Sequence, residues 1–192
     1  MRGSAVTTVV LARHGETEWN RSSRRQGRLD SPLTRRGRAH AGAVAGGAAE
    51  LMVDSVFASP LDRAVATAAV CAEWTGLAVV VIEELAEVDH GGMAGLTTED
   101  IERRYPGELG RRAEDKYRWR FPGGESYVDA DRRAGLVLDR VAASGARCPL
   151  VVSHEMIGRM LLRRLLGADP ITALGWHHPH DVLYRSRSAN GP

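Results

Sequence analysis

Cysteine is scarce in this chain, with two residues among 192. Cys71 and Cys148 are far apart, and Cys71 falls on the apolar face of a predicted helix, which favours buried free thiols. We therefore expect no disulfide scaffold, no cysteine-ligated metal site and no catalytic cysteine.

Long apolar runs are also missing. No segment approaches the roughly 18 consecutive apolar residues of a membrane span. The first 15 residues contain no apolar stretch long enough for a secretory signal. The sequence therefore predicts no membrane segment and a cytoplasmic location.

An excess of charge of one sign is absent as well. The formal net charge is +2, and the basic residues form no one-sided tail, so a nucleic-acid partner is not implied. Lysine is nearly missing, because all but one of the 26 basic residues are arginine. The planar donor fork of arginine suits phosphate and carboxylate groups.

Predicted strands and helices alternate along the chain. The strands are predicted at Thr7–Ala12, Ser55–Ser59, Leu77–Ile82, Pro149–Ser153 and Val182–Ser186. The helices are predicted over residues 34–52, 59–74, 97–106, 107–120, 125–144 and 155–167. This alternation indicates an α/β fold, a three-layer α/β/α sandwich whose central sheet is mostly parallel.

The predicted helices carry local start signals, and the chain length limits the number of domains. Thr34 is the predicted N-cap of the first helix, and Ser59 that of the second, with Pro60 at its first position. We expect one domain over residues 1–192, with a disordered tail at about 187–192. The sequence does not indicate the oligomeric state, and a homodimer is left open.

Unusual polar residues follow each of the first four strands. Arg13 and His14 follow the first, Arg63 the second, Glu87 the third and His154 the fourth. Ligands of open α/β sheets bind at the carboxyl ends of the strands. The five side chains are therefore predicted to share one site.

This residue set points to phosphoryl transfer. Arginines and helix N-termini bind phosphate dianions, and a neutral histidine can attack phosphorus when an acid protonates the leaving oxygen. The charges of Arg13 and Arg63 are expected to lower the pKa of His14 and keep its imidazole nucleophilic. A bound phosphate would conversely favour the protonated form of Glu87.

Six segments in chain order resemble the signatures of the histidine phosphatase superfamily, which has the phosphoglycerate mutase-like fold. They read LARHGETEWN, QGRLDSPLTRRG, SPLDRAVATA, LAEVDHGGMAGLT, FPGGES and VVSHEMIGRML. The resemblance covers residues 9–166 and implies a small phosphorylated metabolite as substrate, with no metal and no cofactor.

The resemblance also implies a role for each matching residue. His14 would be the phosphorylated nucleophile, with Glu87 as proton donor. Arg13, Arg63 and His154 would clamp the phosphoryl group. The remaining residues implied to bind phosphate or substrate are Asn20, Gln26 and Gly27.

The spacing between Glu87 and His154 distinguishes branches of this family. Cofactor-dependent mutases carry an extra lid segment there, and this chain does not, which favours a compact phosphatase. A shorter lid leaves the phosphoenzyme open to water. A mutase or bisphosphatase of the same fold is the second hypothesis, and a catalytically idle phosphate-binding or protein-interaction module is the third.

Several residues depart from the common family pattern. Met93 and Ala94 stand where Trp-Glu is frequent, His90 where an aromatic is common, and Glu155 where glycine is frequent. They put the substrate preference in doubt, and the negative charge of Glu155 could disfavour a second phosphate or a highly acidic substrate. Asp89 is an alternative proton donor to Glu87.

Three further groups have less specific interpretations. His177, His178 and His180 lack zinc-ligand spacing, which favours a surface loop near the pocket rim. The Arg21–Arg28 run fits a solvated loop or a rim that binds acidic groups. The charged segment at residues 107–120 is interpreted as a solvated helix face.

Overall fold

The computed structural model describes residues 8–187, and its sheet has the predicted arrangement. Within those residues the strands are β1 (Thr8–Arg13), β2 (Ser55–Ala58), β3 (Val79–Val81), β4 (Pro149–Ser153) and β5 (Leu183–Arg187). They lie in the order β3-β2-β4-β1-β5. The first four are parallel, and β5 is antiparallel to β1. The prediction of a mostly parallel sheet is confirmed.

Helices cover both faces of the sheet. Those of the described residues are α1 (Glu18–Arg21), α2 (Arg35–Glu50), α3 (Asp62–Thr75), α4 (Thr98–Arg104), α5 (Glu108–Glu114), α6 (Tyr127–Ala143), α7 (Glu155–Leu166) and α8 (Pro170–Ala173). Short 3-10 turns occupy Glu83–Leu85 and Gly91–Met93. Buried residues of α2 and α3 form one apolar core with the sheet, and those of α6 and α7 form the other. The three-layer α/β/α sandwich is confirmed.

Some helix starts follow directly from the sequence. The Thr34 hydroxyl accepts a hydrogen bond from the Gly37 amide at 2.8 Å, as an N-cap does. The predicted cap of α3 is wrong: the helix begins at Asp62 and its N-cap is Leu61. The Ser59 hydroxyl instead lies 2.7 Å from the His154 Nε2 atom, because Ser59 directly follows β2 at the edge where the strands end.

Other predicted boundaries differ by a few residues. Helix α5 ends at Glu114 instead of reaching Arg120, and β5 continues to Arg187. The rest of the predicted tail, residues 188–192, lies outside the described residues. Cys71 is buried, Cys148 is partly buried, and both are free thiols as predicted. Among the described helices, none combines the length and apolar character needed to cross a membrane.

Candidate active site

The predicted site residues meet at one edge of the sheet. Two backbone hydrogen bonds align the segments there: His14 N donates to Ser153 O and Ser59 N donates to Val152 O, each at 3.0 Å. A cavity of about 220 Å³ opens at this edge. It is lined by Arg13, His14, Asn20, Arg24, Arg25, Gln26, Gly27, Arg63, Glu87, His90, Arg112, Glu155, Met156 and Arg159.

His14 lines this cavity and is 3% exposed. Its Nδ1 atom is 2.8 Å from the Gly15 carbonyl oxygen, which can only accept, so Nδ1 carries the proton and Nε2 is the unprotonated nitrogen. Burial lowers the pKa of His14 most, and the charges of Arg63 and Arg13 lower it further. The predicted direction is confirmed, although burial is the larger cause.

The glycine after His14 is required by packing. A Cβ atom on Gly15 would lie 2.2 Å from the backbone oxygen of Gly37 in α2. Its amide also donates to the Thr67 hydroxyl of α3 at 3.0 Å. The end of β1 is therefore held against the first two long helices, which fixes the imidazole of His14.

Arg63 is 2% exposed and is fixed by the loop that precedes α2. Its Nη1 atom donates to Leu29 O at 2.8 Å and to the Asp30 carboxylate at 2.6 Å. Its Nη2 atom donates to Gly27 O at 2.8 Å. Its Nε atom has no hydrogen-bond partner among the described residues and remains a donor. Arg63 is thus oriented by the loop and keeps capacity for an anion.

Gly27 has a structural role that its predicted site role did not include. Its φ is +56°, and a Cβ atom there would lie 2.8 Å from the His90 backbone nitrogen. Only glycine fits this position without displacing the loop that carries His90. Gln26 and Asn20 also line the cavity, and Asn20 Oδ1 accepts from Thr17 N at 3.0 Å in a capping box.

Arg13 is paired with a residue that the sequence marked as unusual. Its Nη1 atom donates to the Glu155 carboxylate and to His178 O. Glu155 also accepts from Arg159 Nη2 at 2.6 Å. Glu155 therefore holds two pocket arginines at once. Its contact with Arg159 is an i,i+4 pair on α7, whereas no local pattern indicated its contact with Arg13.

His154 lies beside His14, with ring centroids 5.1 Å apart, although it does not line the cavity itself. Its Nε2 atom is hydrogen-bonded to Ser59 Oγ. Its buried Nδ1 atom has no hydrogen-bond partner among residues 8–187. Burial lowers the pKa of His154 most, followed by the charge of Arg63.

Glu87 and Asp89 differ in position. The Glu87 carboxylate lines the cavity and accepts from Val88 N at 2.9 Å and from Met156 N and Ile157 N at 3.0 Å. The last two amides belong to the first turn of α7. Asp89 does not line the cavity, and its Oδ1 atom accepts from Gly91 N at 2.8 Å. The geometry favours Glu87 over Asp89 as the acid.

The cavity contains two arginines that sequence reasoning missed, Arg112 and Arg159, and two from the Arg21–Arg28 run, for which it left a binding role open. Arg112 was interpreted as part of a solvated helix face, but it lines the cavity and lies over the rings of Trp119 and Phe121. Arg25 also lines the cavity, whereas Arg28 of the same run is exposed and paired with Glu125. A signal for Arg112 was available in the aromatic residues that follow it, because an arginine can lie over their faces.

The comparison with known families agrees with this geometry. The model of the Histidine phosphatase superfamily (branch 1) matches residues 9–188. This chain belongs to the histidine phosphatase superfamily. The predicted resemblance is therefore confirmed over most of the chain.

Relatives of this histidine phosphatase include enzymes with different names. It is 34% identical over 165 residues to phosphoserine phosphatase 1 of Hydrogenobacter thermophilus, covering 85% of this chain and 78% of that protein. It is 38% identical over 167 residues to a Yersinia enterocolitica protein named "Probable phosphoglycerate mutase GpmB", covering 84% and 76%. The structure of mycobacterial glucosyl-3-phosphoglycerate phosphatase with VO3 has a TM-score of 0.84 and 32% identity, covering 93% and 90%.

The three histidines near the C-terminus of this histidine phosphatase are not one surface loop. His177 is exposed, and its Nδ1 atom lies 3.0 Å from Glu155. His178 is buried and donates from Nε2 to Val182 O at 3.1 Å. His180 is half-buried and donates from Nδ1 to His14 O at 2.6 Å. The surface interpretation is wrong for His178 and His180, because β5 pairs with β1 and brings the preceding loop under the site.

Metal binding was not expected from these histidines. Within residues 8–187 no group of three or more His, Cys, Asp or Glu side chains is arranged to hold a metal ion.

Acid pH is expected to destabilise the protein through His178. Burial lowers the pKa of His178 to about 4, below the value of roughly 6.5 in an unfolded chain. As the pH falls through 6.5, the unfolded state takes up the proton first, so stability is lost between about pH 6.5 and 4. We expect His178 to account for about 1 kcal/mol of unfolding free energy lost between pH 7 and 5.5.

Urea unfolding at several pH values measures this effect. His178→Asn should flatten the pH dependence between 7 and 5.5, whereas the exposed control His177→Asn should keep it. An unchanged slope in His178→Asn would assign the acid sensitivity to other groups.

Proposed function

We propose that this protein is a metal-independent phosphatase that hydrolyses a small phosphomonoester through a phosphohistidine intermediate on His14. One observation carries the proposal: His14, whose unprotonated nitrogen is Nε2, lines the same cavity as Arg13 and Arg63. A nucleophile beside two fixed cations is suited to a phosphoryl group.

In the first step the Nε2 atom of His14 forms a bond to phosphorus while the bond to the alcohol oxygen breaks. Glu87, in its protonated form, gives its proton to the departing oxygen. In the second step a water molecule attacks phosphorus and gives its proton to the Glu87 carboxylate. The bond from phosphorus to Nε2 then breaks, which restores the enzyme and releases inorganic phosphate.

The remaining predicted residues would stabilise the phosphoryl oxygens. Arg13 and Arg63 supply positive charge, and the His154 Nδ1 atom is available to donate from a buried position. The Oδ1 atom of Asn20 accepts from Thr17 N, which leaves its NH₂ group as the donor that would bind a phosphoryl oxygen. Gln26 and Gly27 complete the wall of the cavity, and Gly27 also orients Arg63.

A mutase or bisphosphatase activity is the second candidate, and the Yersinia relative named as a mutase favours it. The segment between Glu87 and His154 favours hydrolysis instead, because its helices α4 and α5 have only seven residues each, and a shorter lid admits water to a phosphoenzyme. The relatives named as phosphoserine phosphatase and glucosyl-3-phosphoglycerate phosphatase suggest substrates for a first panel. We also propose that the protein is located in the cytoplasm.

Phosphate release from that panel, with EDTA present, tests the proposal. The panel contains phosphoserine, 3-phosphoglycerate, glycerol 3-phosphate and p-nitrophenyl phosphate. We expect release from at least one of them at a rate that EDTA does not change. Exchange between monophosphoglycerates that outpaces hydrolysis would establish the mutase, and phosphate binding without turnover of any compound would establish the idle module.

A further inference from the structure

Helix α6 contacts the segment that carries the proposed acid through Arg133, which does not line the cavity. The Nη1 atom of Arg133 donates to the carbonyl oxygens of Glu84 and Ala86, at 2.6 and 2.7 Å. Ala86 directly precedes Glu87 in the chain. One guanidinium nitrogen therefore fixes the backbone on the N-terminal side of the acid.

Glu125 fixes the backbone on the other side of Glu87. Its Oε2 atom accepts from Asp89 N at 2.9 Å, and its own amide donates to Asp89 O at 2.9 Å. The same carboxylate accepts from Arg133 Nε at 3.0 Å and from Arg133 Nη2 at 2.8 Å. The two side chains thus form one unit, the Arg133/Glu125 bridge, which holds the chain both before and after Glu87.

The Arg133/Glu125 bridge is largely shielded from solvent, and its geometry is specific to arginine. The two side chains are 15% and 17% exposed. Arg133 uses Nε and Nη2 for a paired contact with the carboxylate, and Nη1 for the two carbonyl oxygens. The ammonium group of lysine is a single point charge and cannot reproduce this fork. The bridge is therefore suited to hold a backbone segment in one position.

The place of the Glu87 carboxylate depends on this backbone position. The carboxylate accepts from Met156 N and Ile157 N, each at 3.0 Å, in the first turn of α7. Amides in the first turn of a helix have no acceptor within the helix, so Glu87 serves as theirs. Misplacing a reacting group by about 1 Å can cost roughly 10²-fold in rate. A shift of residues 84–89 would therefore withdraw the acid from the departing oxygen.

We propose that Arg133 and Glu125 are positioning residues for proton donation by Glu87. Neither side chain lines the cavity, and both act through the backbone of residues 84–89. The inference rests on the proposed function, which assigns the proton transfer to Glu87. The bridge should then matter for leaving groups that need a proton and hardly at all for those that do not.

The kcat/KM for two leaving groups tests the inference, because this ratio is set by the step that releases the alcohol. Arg133→Lys keeps the positive charge and removes the fork, and Glu125→Gln removes the charged acceptor. Each should lower kcat/KM for glycerol 3-phosphate about 10- to 100-fold, and that for p-nitrophenyl phosphate by less than about threefold. The double variant should lose little more than the weaker single variant, since both substitutions break the same bridge.

Arg140→Lys is the matched control. Arg140 is also on α6 and also contacts the segment before Glu87, but it pairs with the side chain of Glu84, at 3.3 Å, and is 59% exposed. This variant should keep kcat/KM for both substrates, because the backbone contacts of the bridge stay intact.

Hydrogen exchange of backbone amides, followed by NMR, provides a readout that needs no turnover. The amides of Met156 and Ile157 are protected by Glu87 and not by the helix itself. Their exchange should be faster in Arg133→Lys and in Glu125→Gln, while amides in the middle of α7 keep their protection. Arg140→Lys should leave all of them unchanged.

Equal losses on both substrates, or unchanged kcat/KM in both folded variants, would overturn the inference. If one of the two variants unfolds, the other carries the test. A selective loss in Glu87→Gln with none in Arg133→Lys or Glu125→Gln would contradict this inference alone. No phosphate release by the unmodified protein, with faster exchange at Met156 and Ile157 in the variants, would contradict the proposed function alone.

Discussion

Replacing His14 with alanine is expected to lower kcat for phosphate release by about 10⁴-fold or more. The Nε2 atom is the proposed attacking group, and loss of the nucleophile removes the covalent route entirely. His178→Asn is the matched control, since it removes another buried imidazole that does not line the cavity. It should keep most of the activity at pH 7.5.

The intermediate itself can be trapped on a short time scale. Rapid quenching into alkali after mixing with ³²P-labelled substrate should leave phosphate on the peptide that contains His14, because phosphohistidine survives base and is lost in acid. Release by His14→Ala at the normal rate, or label on a peptide without His14, would overturn the proposed mechanism.

Replacing Glu87 with glutamine is expected to lower kcat about 10²- to 10⁴-fold for alkyl phosphates such as glycerol 3-phosphate. An alkoxide is a poor leaving group and needs the proton of the acid. Nitrophenolate leaves without one, so hydrolysis of p-nitrophenyl phosphate should fall by much less. The contrast between the two substrates separates loss of the acid from general damage to the site.

The effect of the substitution on folding has to be measured as well, because the Glu87 carboxylate also accepts hydrogen bonds from backbone amides. Its Oε2 atom accepts from Met156 N, and glutamine would present either its oxygen or its NH₂ group there. Thermal unfolding of Glu87→Gln therefore accompanies the kinetics.

Asp89→Asn is the control for the assignment of the acid. Asp89 does not line the cavity, and its side chain accepts from the Gly91 amide. The variant should treat the two substrates as the unmodified protein does. A selective loss on glycerol 3-phosphate in Asp89→Asn, with none in Glu87→Gln, would make Asp89 the proton donor.

Much of the fold could be predicted because its signals are local. The strand Pro149–Ser153 has the predicted bounds, α7 ends one residue before the predicted Gly167, and Thr34 caps α2 as expected. β-branched runs, helix caps and a C-terminal glycine act through neighbours in the chain. Ser59 shows the limit, since its hydroxyl bonds a histidine 95 residues away instead of capping the next helix.

The sequence predicted the kind of chemistry at the site, but only some of the residues that line it. Residues that directly follow parallel strands meet at one sheet edge, and for that reason His14, Arg63 and His154 could be placed together. Arg112 was assigned to the solvent, because a charged helix segment does not show which of its arginines folds over an aromatic ring.

The sequence by itself determined the α/β fold and the kind of group that the site is suited to bind, because strand ends, arginines and histidines can be identified residue by residue. Only the tertiary structure decided which arginines are neutralised. Glu155 pairs with Arg13 across 142 positions of the chain, whereas the buried Nε atom of Arg25 has no hydrogen-bond partner within residues 8–187. Ion pairing depends on distances between side chains that are far apart in sequence, so the anion-binding capacity of the cavity becomes visible only once the chain is folded.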